Sequence, residues 1–278
     1  MGGAHTSTEM VLGTAQLCTI CGPRDVELIL HAALSAGIRW FDAAADGPAE
    51  RRTGAALRGS KRVRIVTTLA PLEELDDRAS AGALRQAVVD AVRRSCTRLG
   101  ADRLDVLLLH RSRHLSNPAV WNAVKELRDE GVVYDLGVAL DTPEEALAAL
   151  GEHDVRHIQL PFDAIDRRWR SSALIEALGA RPEVTVHARS ALPQGIDLAE
   201  PNACLMRLTR DLDRDSPADL CLAYLRAQTW IDGVVVGVET LSRLALNLAL
   251  FKRPPLTAGE IAAVDAALPR AERLPAAA

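Results

Sequence analysis

Apolar and polar positions follow two recurring patterns along the chain: short apolar runs, and longer stretches with helical spacing. The runs are "MVLGTA" (10–15), "IRWFDA" (38–43), "RVRIVTT" (62–68), "LDVLLLH" (104–110), "VVYDLGVA" (132–139), "RHIQLP" (156–161), "VTVHAR" (184–189) and "DGVVVG" (232–237). Their near-continuous apolar character suits strands covered on both faces, as in a parallel sheet. Between them lie amphipathic helices such as "DVELILHAALSAG", ending in Gly37, and "PAVWNAVKELRDEG", ending in Gly131. Glycine there supplies the left-handed turn that closes a helix. Eight strand–helix units of about 30 residues each predict an α/β fold, a single (β/α)8 or TIM barrel. No linker or low-complexity stretch divides it, so residues 1–278 are read as one domain. A doubly wound open sheet is the alternative, although "LGTAQL" (12–17) is not a GxGxxG phosphate loop.

Composition narrows the class without changing the fold. With 278 residues, 48% hydrophobic and 25% charged, the chain is long enough to bury a full core. Its formal net charge is −4, and arginines alternate with acids along helices such as "LRQAVVDAVRRSCTRLG". No basic face marks a nucleic-acid partner. The start "MGGAHTSTEM" lacks the features of a signal peptide, and no stretch reaches the roughly 18 apolar residues of a membrane span. A cytoplasmic protein with a small-molecule partner is expected, and the sequence leaves its oligomeric state open. Five cysteines, an odd number, argue for reduced thiols over a disulfide framework.

In such a barrel, function sits where strands end and the following loops begin. That rule selects Asp42, Thr68, His110, Gln159, Arg189, Ser190 and the segment from Gly237 to Thr240. These polar side chains converge on one mouth, which periodicity alone does not require.

The chain also resembles the aldo-keto reductase family, most closely its bacterial aldose-dehydrogenase-like branch. The resemblance is carried by "LGTAQL" (12–17), "AGIRWFDAA" (36–44), "LDVLLLH" (104–110), "IQLPFDAIDRR" (158–168), "RSALPQG" (189–195) and "VVVGVETLSRLALN" (234–247), all in family order. It implies a barrel with NADPH, less often NADH, lying across the C-terminal face. It also implies hydride transfer to a carbonyl, assisted by tyrosine, lysine, aspartate and histidine. The lysine's charge makes a phenol, ordinarily titrating near 10, acidic enough to donate at neutral pH.

Carried over residue by residue, Asp42 matches the aspartate and His110 the histidine. The segment "AAADGPAE" (43–50) is one residue short, which puts Asp46 before Gly47 where the tyrosine belongs, and Thr68 stands where the lysine belongs. The two tyrosines fall elsewhere: Tyr134 early in the fifth strand, at the far end of the barrel, and Tyr224 within an outer helix. Lys61, Lys125 and Lys252 are also remote from the mouth. Around the implied cofactor, Ala139 and Leu140 replace the pair that anchors the nicotinamide, while Gln159 is kept. Gly237, Arg243 and Asn247 resemble the phosphate and adenine contacts, and Arg189 with Ser190 fits the segment beside the ring. The acid Glu239 favours NAD over NADP.

Each residue also has a plain structural reading. Asp42 and His110 are catalytic or are remnants bonded to nearby backbone. Asp46 is a turn residue, or a carboxylate facing His110. Cys18 and Cys21, in the first strand-to-helix loop, are idle pocket thiols unless a metal or redox role joins them. Arg111, Arg113 and His114 form a solvated loop or an anion clamp, and Arg167 and Arg168 begin a helix and pair locally. The expected function is a non-redox lyase, dehydratase or isomerase acting on a small carbonyl- or sugar-like molecule, with His110 and a carboxylate moving protons. The alternatives are a residual NAD(P)H-dependent oxidoreductase with His110 as proton donor, and an inert nucleotide-sensing or scaffold protein. NADP or NAD is the expected cofactor if one binds; no metal site is expected.

Overall fold

The computed structural model describes residues 8–45, 47–70, 72, 79–189 and 200–268. Eight strands close into a barrel in chain order, each parallel to its neighbours. They are β1 (Glu9–Gly13), β2 (Trp40–Ala43), β3 (Arg64–Thr68), β4 (Leu104–Leu109), β5 (Val133–Ala139), β6 (Val155–Pro161), β7 (Thr185–Arg189) and β8 (Gly233–Gly237). The helices are α1 (Ala15–Ile20), α2 (Pro23–Ser35), α3 (Pro48–Leu57), α4 (Ala81–Leu99), α5 (Pro118–Asp129), α6 (Pro143–Leu150), α7 (Ser172–Gly179), α8 (Glu200–Asp211), α9 (Pro217–Arg226), α10 (Leu241–Lys252) and α11 (Ala258–Ala267). The (β/α)8 expectation therefore holds. Two details of the sequence reading do not: β1 runs from Glu9 to Gly13, and "CTIC" begins inside the short helix α1, so Cys18 is helical and not in a loop.

Helix boundaries follow local chemistry. Ser80, Asn117, Thr142, Ser171, Ser216, Thr240 and Thr257 each accept a backbone N–H from the first turn of the helix they precede. Gly37 and Gly131, at φ +98° and +79°, make the left-handed exits expected of them. Among the described residues, no helix is long and apolar enough to cross a membrane.

Side chains two apart on a strand share a face, so Trp40 and Asp42, His157 and Gln159, and His187 and Arg189 stand one above the other. The lower members fill the barrel. The His157 and His187 rings meet edge to face at 4.3 Å, and the Trp40 ring meets His187 in the same way at 4.8 Å. Gly233 makes room for this layer, since a Cβ there would lie 2.8 Å from both His187 Cδ2 and Val11 Cγ2. Burial drives the His187 imidazole down to about 3. It also drives His157 well below the usual value, helped by the repulsion that charging both rings together would bring and by the charge of Arg64, so both rings are neutral.

The wall is uneven. β8 pairs with β1 from Glu9↔Gly233 to Gly13↔Gly237, but with β7 only at His187↔Gly233 and Ala188↔Val234. Among the described residues the pairing of β7 with β8 ends there, and Val235, Val236 and Gly237 line a cavity together with Ala218 and Leu222 of α9.

Candidate active site

The upper members of the same side-chain columns converge on a cavity of about 500 Å³ at the C-terminal ends of the strands. Asp42, Gln159, Arg189, Gly237, Glu239, Arg243 and Asn247, all expected from sequence, line it together with Gly13, Gln16 and Thr68. Gly13 and Gly237 face each other in register and leave the wall between them without side chains.

Asp42 is held at both ends. Its backbone carbonyl accepts from the N–H of Thr14 at 2.8 Å and from the Thr14 hydroxyl at 3.0 Å, and the Thr53 hydroxyl donates to Thr14 Oγ1 at 3.1 Å. Its carboxylate Oδ2 accepts from Gln159 Nε2 at 2.6 Å. Burial pushes this carboxyl above the ordinary aspartate range, against the opposing pull of the Gln159 hydrogen bond and the Arg189 charge. The neighbouring β3 end is fixed by Glu50, which is wholly buried and accepts from the Thr67 hydroxyl at 2.8 Å while pairing with Arg98 at 3.3 Å. Glu50→Gln is expected to loosen this corner by about 1–3 kcal/mol, read as a lower unfolding midpoint, because it takes the charged partner from Arg98 and weakens the Thr67 bond.

On the opposite rim, Arg189 Nη2 donates to Asp141 Oδ1 at 2.6 Å and to the carbonyl of Leu140 at 3.2 Å. The other end of the cavity is built by β8 and α10. Thr240 caps α10 by accepting from Arg243 N at 3.0 Å, and buried Asn247 donates to the carbonyl of Gly237 at 3.5 Å. A helix N-terminus with an arginine in its first turn suits an anionic group such as phosphate. The Cys21 thiol donates to the carbonyl of Glu239 at 3.2 Å, and Arg52 Nη1 holds the carbonyls of Cys18 and Cys21 at 2.6 and 2.8 Å. Burial raises the Cys18 thiol. Among the described residues, no three His, Cys, Asp or Glu side chains cluster as a metal site.

His110 follows the last residue of β4, is exposed, and does not line the cavity. Asp46 and Ser190 lie outside the described residues. Arg111, Arg113 and His114 stand around the single-turn helix Ser112–Ser116, away from the cavity lining. Arg168 pairs with Asp166 as expected, but Arg167 reaches across to the carboxylate of Asp265 in α11, a contact that is not local. Gln16, Asp141 and the α9 residues Ala218 and Leu222 were not singled out from sequence. Gln16 lies within the quoted "LGTAQL", three residues past the end of β1, and Asp141 lies two past β5, so a looser strand-end rule would have found both. Nothing in the sequence places Ala218 and Leu222 at the cavity.

Comparison with known proteins agrees with this geometry. The Aldo/keto reductase family model matches residues 9–269. An "Aldo-keto reductase" of Mycobacterium sp. (strain KMS) is 31% identical over 189 residues, covering 64% of this chain and 63% of that protein. The chain thus spans about 63% of the length of that curated relative. The "Uncharacterized oxidoreductase YqkF" of Bacillus subtilis (strain 168) is 24% identical over 271 residues, 85% of each chain. Among solved structures, aldo-keto reductase AKR11C1 from Bacillus halodurans in its holo form superposes with a TM-score of 0.74 at 23% identity, over 95% of this chain and 93% of that one. An aldo/keto reductase from Klebsiella pneumoniae in complex with NADP and acetate gives 0.74 at 23% identity, over 95% and 92%. With a family match across almost the whole chain and a closed eight-stranded barrel beneath it, the chain belongs to the aldo/keto reductase family.

Proposed function

We propose that this chain is a non-redox acid–base enzyme of aldo/keto reductase lineage, an isomerase, dehydratase or lyase for a small carbonyl- or sugar-like molecule, in which Asp42 moves the proton. The observation that carries the reading is the Asp42 carboxyl in the cavity wall, oriented by Gln159 at 2.6 Å and raised by burial. A carboxyl with a raised pKa keeps its proton closer to neutral pH, donates it to a carbonyl oxygen, and recovers one from carbon.

The phenol–ammonium relay of the family finds no counterpart among the described cavity residues, since neither a tyrosine nor a lysine lines the cavity. Tyr134 is half exposed near the start of β5, with Arg64 at 5.7 Å and Arg103 at 5.0 Å from its ring. Tyr224 is buried, and its hydroxyl is engaged by Arg170 and Asp265, each at 2.7 Å. Loss of that relay, with Thr68 at the lysine position, is part of the proposal. So is the shift of the leading role to Asp42, with exposed His110 left as an accessory group.

A dinucleotide fits this cavity at one end. Gly237, Arg243 and Asn247 at the start of α10 would hold its adenosine phosphate half, and the Glu239 carboxylate opposes a 2′-phosphate. At the ring end, Leu140 is fully buried and apolar, and the Gln159 amide is already donated to Asp42. Among the described residues, the positions that would anchor a nicotinamide are therefore apolar or already engaged. The favourable phosphate end supports a second reading, a residual NAD(P)H-dependent oxidoreductase.

The deciding experiment presents aldehydes, ketones, hydroxy sugars and oxo acids with and without NAD(P)H. Turnover is expected without dinucleotide, and Asp42→Asn should lower it about a hundredfold or more while the protein stays folded. Because the protonated carboxyl is the working form, the wild-type rate should fall as pH rises through the raised pKa of Asp42. Steady oxidation of NADPH with a reduced product would establish the oxidoreductase instead. Tight nucleotide binding with no turnover would mark the chain as a sensor or scaffold.

A further inference from the structure

We infer that the molecule handled at this site carries a carboxylate beside its reacting carbonyl, as a 2-oxo acid does, and that Arg189 is the residue that binds it. The inference rests on the acid–base reading above and adds a substrate class to it.

Arg189 ends β7 and lines the same cavity as Asp42, and its charge is felt by the Asp42 carboxyl. Only one of its nitrogens is spent. Nη2 donates to Asp141 and to the carbonyl of Leu140, and among the described residues Nε and Nη1 carry no hydrogen bond. Asp141 and the Leu140 carbonyl therefore act as a bracket: they fix the plane of the guanidinium and leave its other donors for a ligand. A guanidinium held in this way loses little freedom on meeting a carboxylate, which is the anion its donors match best.

The two functions face each other across the barrel mouth and not along the sheet. Asp42 is bonded to Gln159, and Gln159 lies on β6, the strand next to β7, where Pro161 is in register with Arg189. Gln159, bonded to the acid, lies one strand from the guanidinium, and both groups face the one cavity, where a carbonyl at Asp42 and a carboxylate at Arg189 can belong to one small molecule. Ala44, Leu222, Val235 and Val236 give the wall an apolar part that would cover the hydrocarbon of such a ligand, beside the polar Gln16 and Thr68. Arg243, at the far end beside Glu239, serves the phosphate end and is not needed here.

The chemistry balances with no redox partner. The Asp42 carboxyl gives its proton to the ketone oxygen. The C3–H bond breaks, its electron pair forms the C2=C3 double bond, and the released proton returns to the Asp42 carboxylate. In deuterium oxide this exchange would label C3.

The test uses pyruvate and its uncharged counterpart pyruvamide as probes, with binding followed by calorimetry. Pyruvate should bind about tenfold or more tighter than pyruvamide, and Arg189→Gln should abolish that preference. Arg189→Lys, which keeps the charge and loses the planar group, should retain a reduced preference. Equal binding of the two probes, binding of neither, or a full preference surviving in Arg189→Gln would each overturn the inference. The Asp42 reading has a separate readout, exchange of the pyruvate methyl protons for deuterium measured by NMR. If the preference for pyruvate depends on Arg189 but no 2-oxo acid is exchanged or turned over, the carboxylate site stands and the acid–base role of Asp42 falls.

Discussion

His187 alone is expected to remove about 5 kcal/mol of folding stability as pH falls from 6.5 to about 3. The sign follows from which state binds the proton. Above 6.5 the imidazole is neutral in both the folded and the unfolded chain, and it contributes no pH dependence. Below 6.5 the unfolded chain takes up a proton that the folded barrel refuses until about 3, so each further pH unit favours unfolding by about 1.4 kcal/mol. His157 titrates in the same direction, because it is just as deeply buried and Arg64, stacked 5.0 Å from the Trp40 ring, adds a repelling charge. The raised carboxyls Asp42 and Asp135 act the other way, since their folded forms take protons more readily than the unfolded chain does. The slope measured below pH 6.5 is the sum of the two, the histidines favouring unfolding and these carboxyls opposing it. Urea unfolding at a series of pH values measures this directly. Equal slopes in the wild type and in His187→Gln would mean that the His187 ring is hydrated or charged in the folded state. That variant should lose the part His187 contributes, about 1.4 kcal/mol per pH unit below 6.5.

Gly54→Ala should be the most damaging single-methyl substitution in the outer layer. A Cβ at Gly54 would lie 2.2 Å from the carbonyl oxygen of Leu99 and 2.5 Å from its Cα, so the obstacle is backbone and not a side chain that can swing away. Relief requires α3 to move off the end of α4, at a cost of about 3–5 kcal/mol and beyond the usual penalty for an overfilled core. The damage would reach the site, because Glu50 lies one turn earlier in α3 and holds both Thr67 and Arg98. Gly259→Ala is the matched control. It sits in α11 with nothing within 4 Å of the added methyl, and it should stabilise by about 0.5–1 kcal/mol. Equal thermal midpoints for the two variants would refute the contact between α3 and α4.

The strands were legible because a strand covered on both faces must be apolar along its whole length, and the residues at their ends were legible because barrel topology assigns function to that edge. Asp42, Gln159 and Arg189 all follow from that rule. What the sequence hides is how these residues pair. Gln159 and Asp42 are 117 positions apart, and Arg189 meets Asp141 across 48, so no local pattern announces either bond. The helix α1 was missed for a different reason. Its N-cap residue, Thr14, makes no capping bond and spends its hydroxyl on the carbonyl of Asp42, which removes the usual signal of a helix start. The buried histidines were read only as members of apolar runs, since sequence does not say which face of an inner strand a ring occupies. His110 shows the limit of the strand-end rule: it stands at the right level and still falls outside the cavity wall.

Among the described residues, β8 is paired with β1 along its whole length and with β7 at its two lower positions. Val235, Val236 and Gly237 line the cavity themselves, so a ligand would lie against the strand as well as against the side chains of the rim. Amide deuteration along Val235 to Gly237 should therefore slow when the chamber is filled, before any change is felt in β3 to β6.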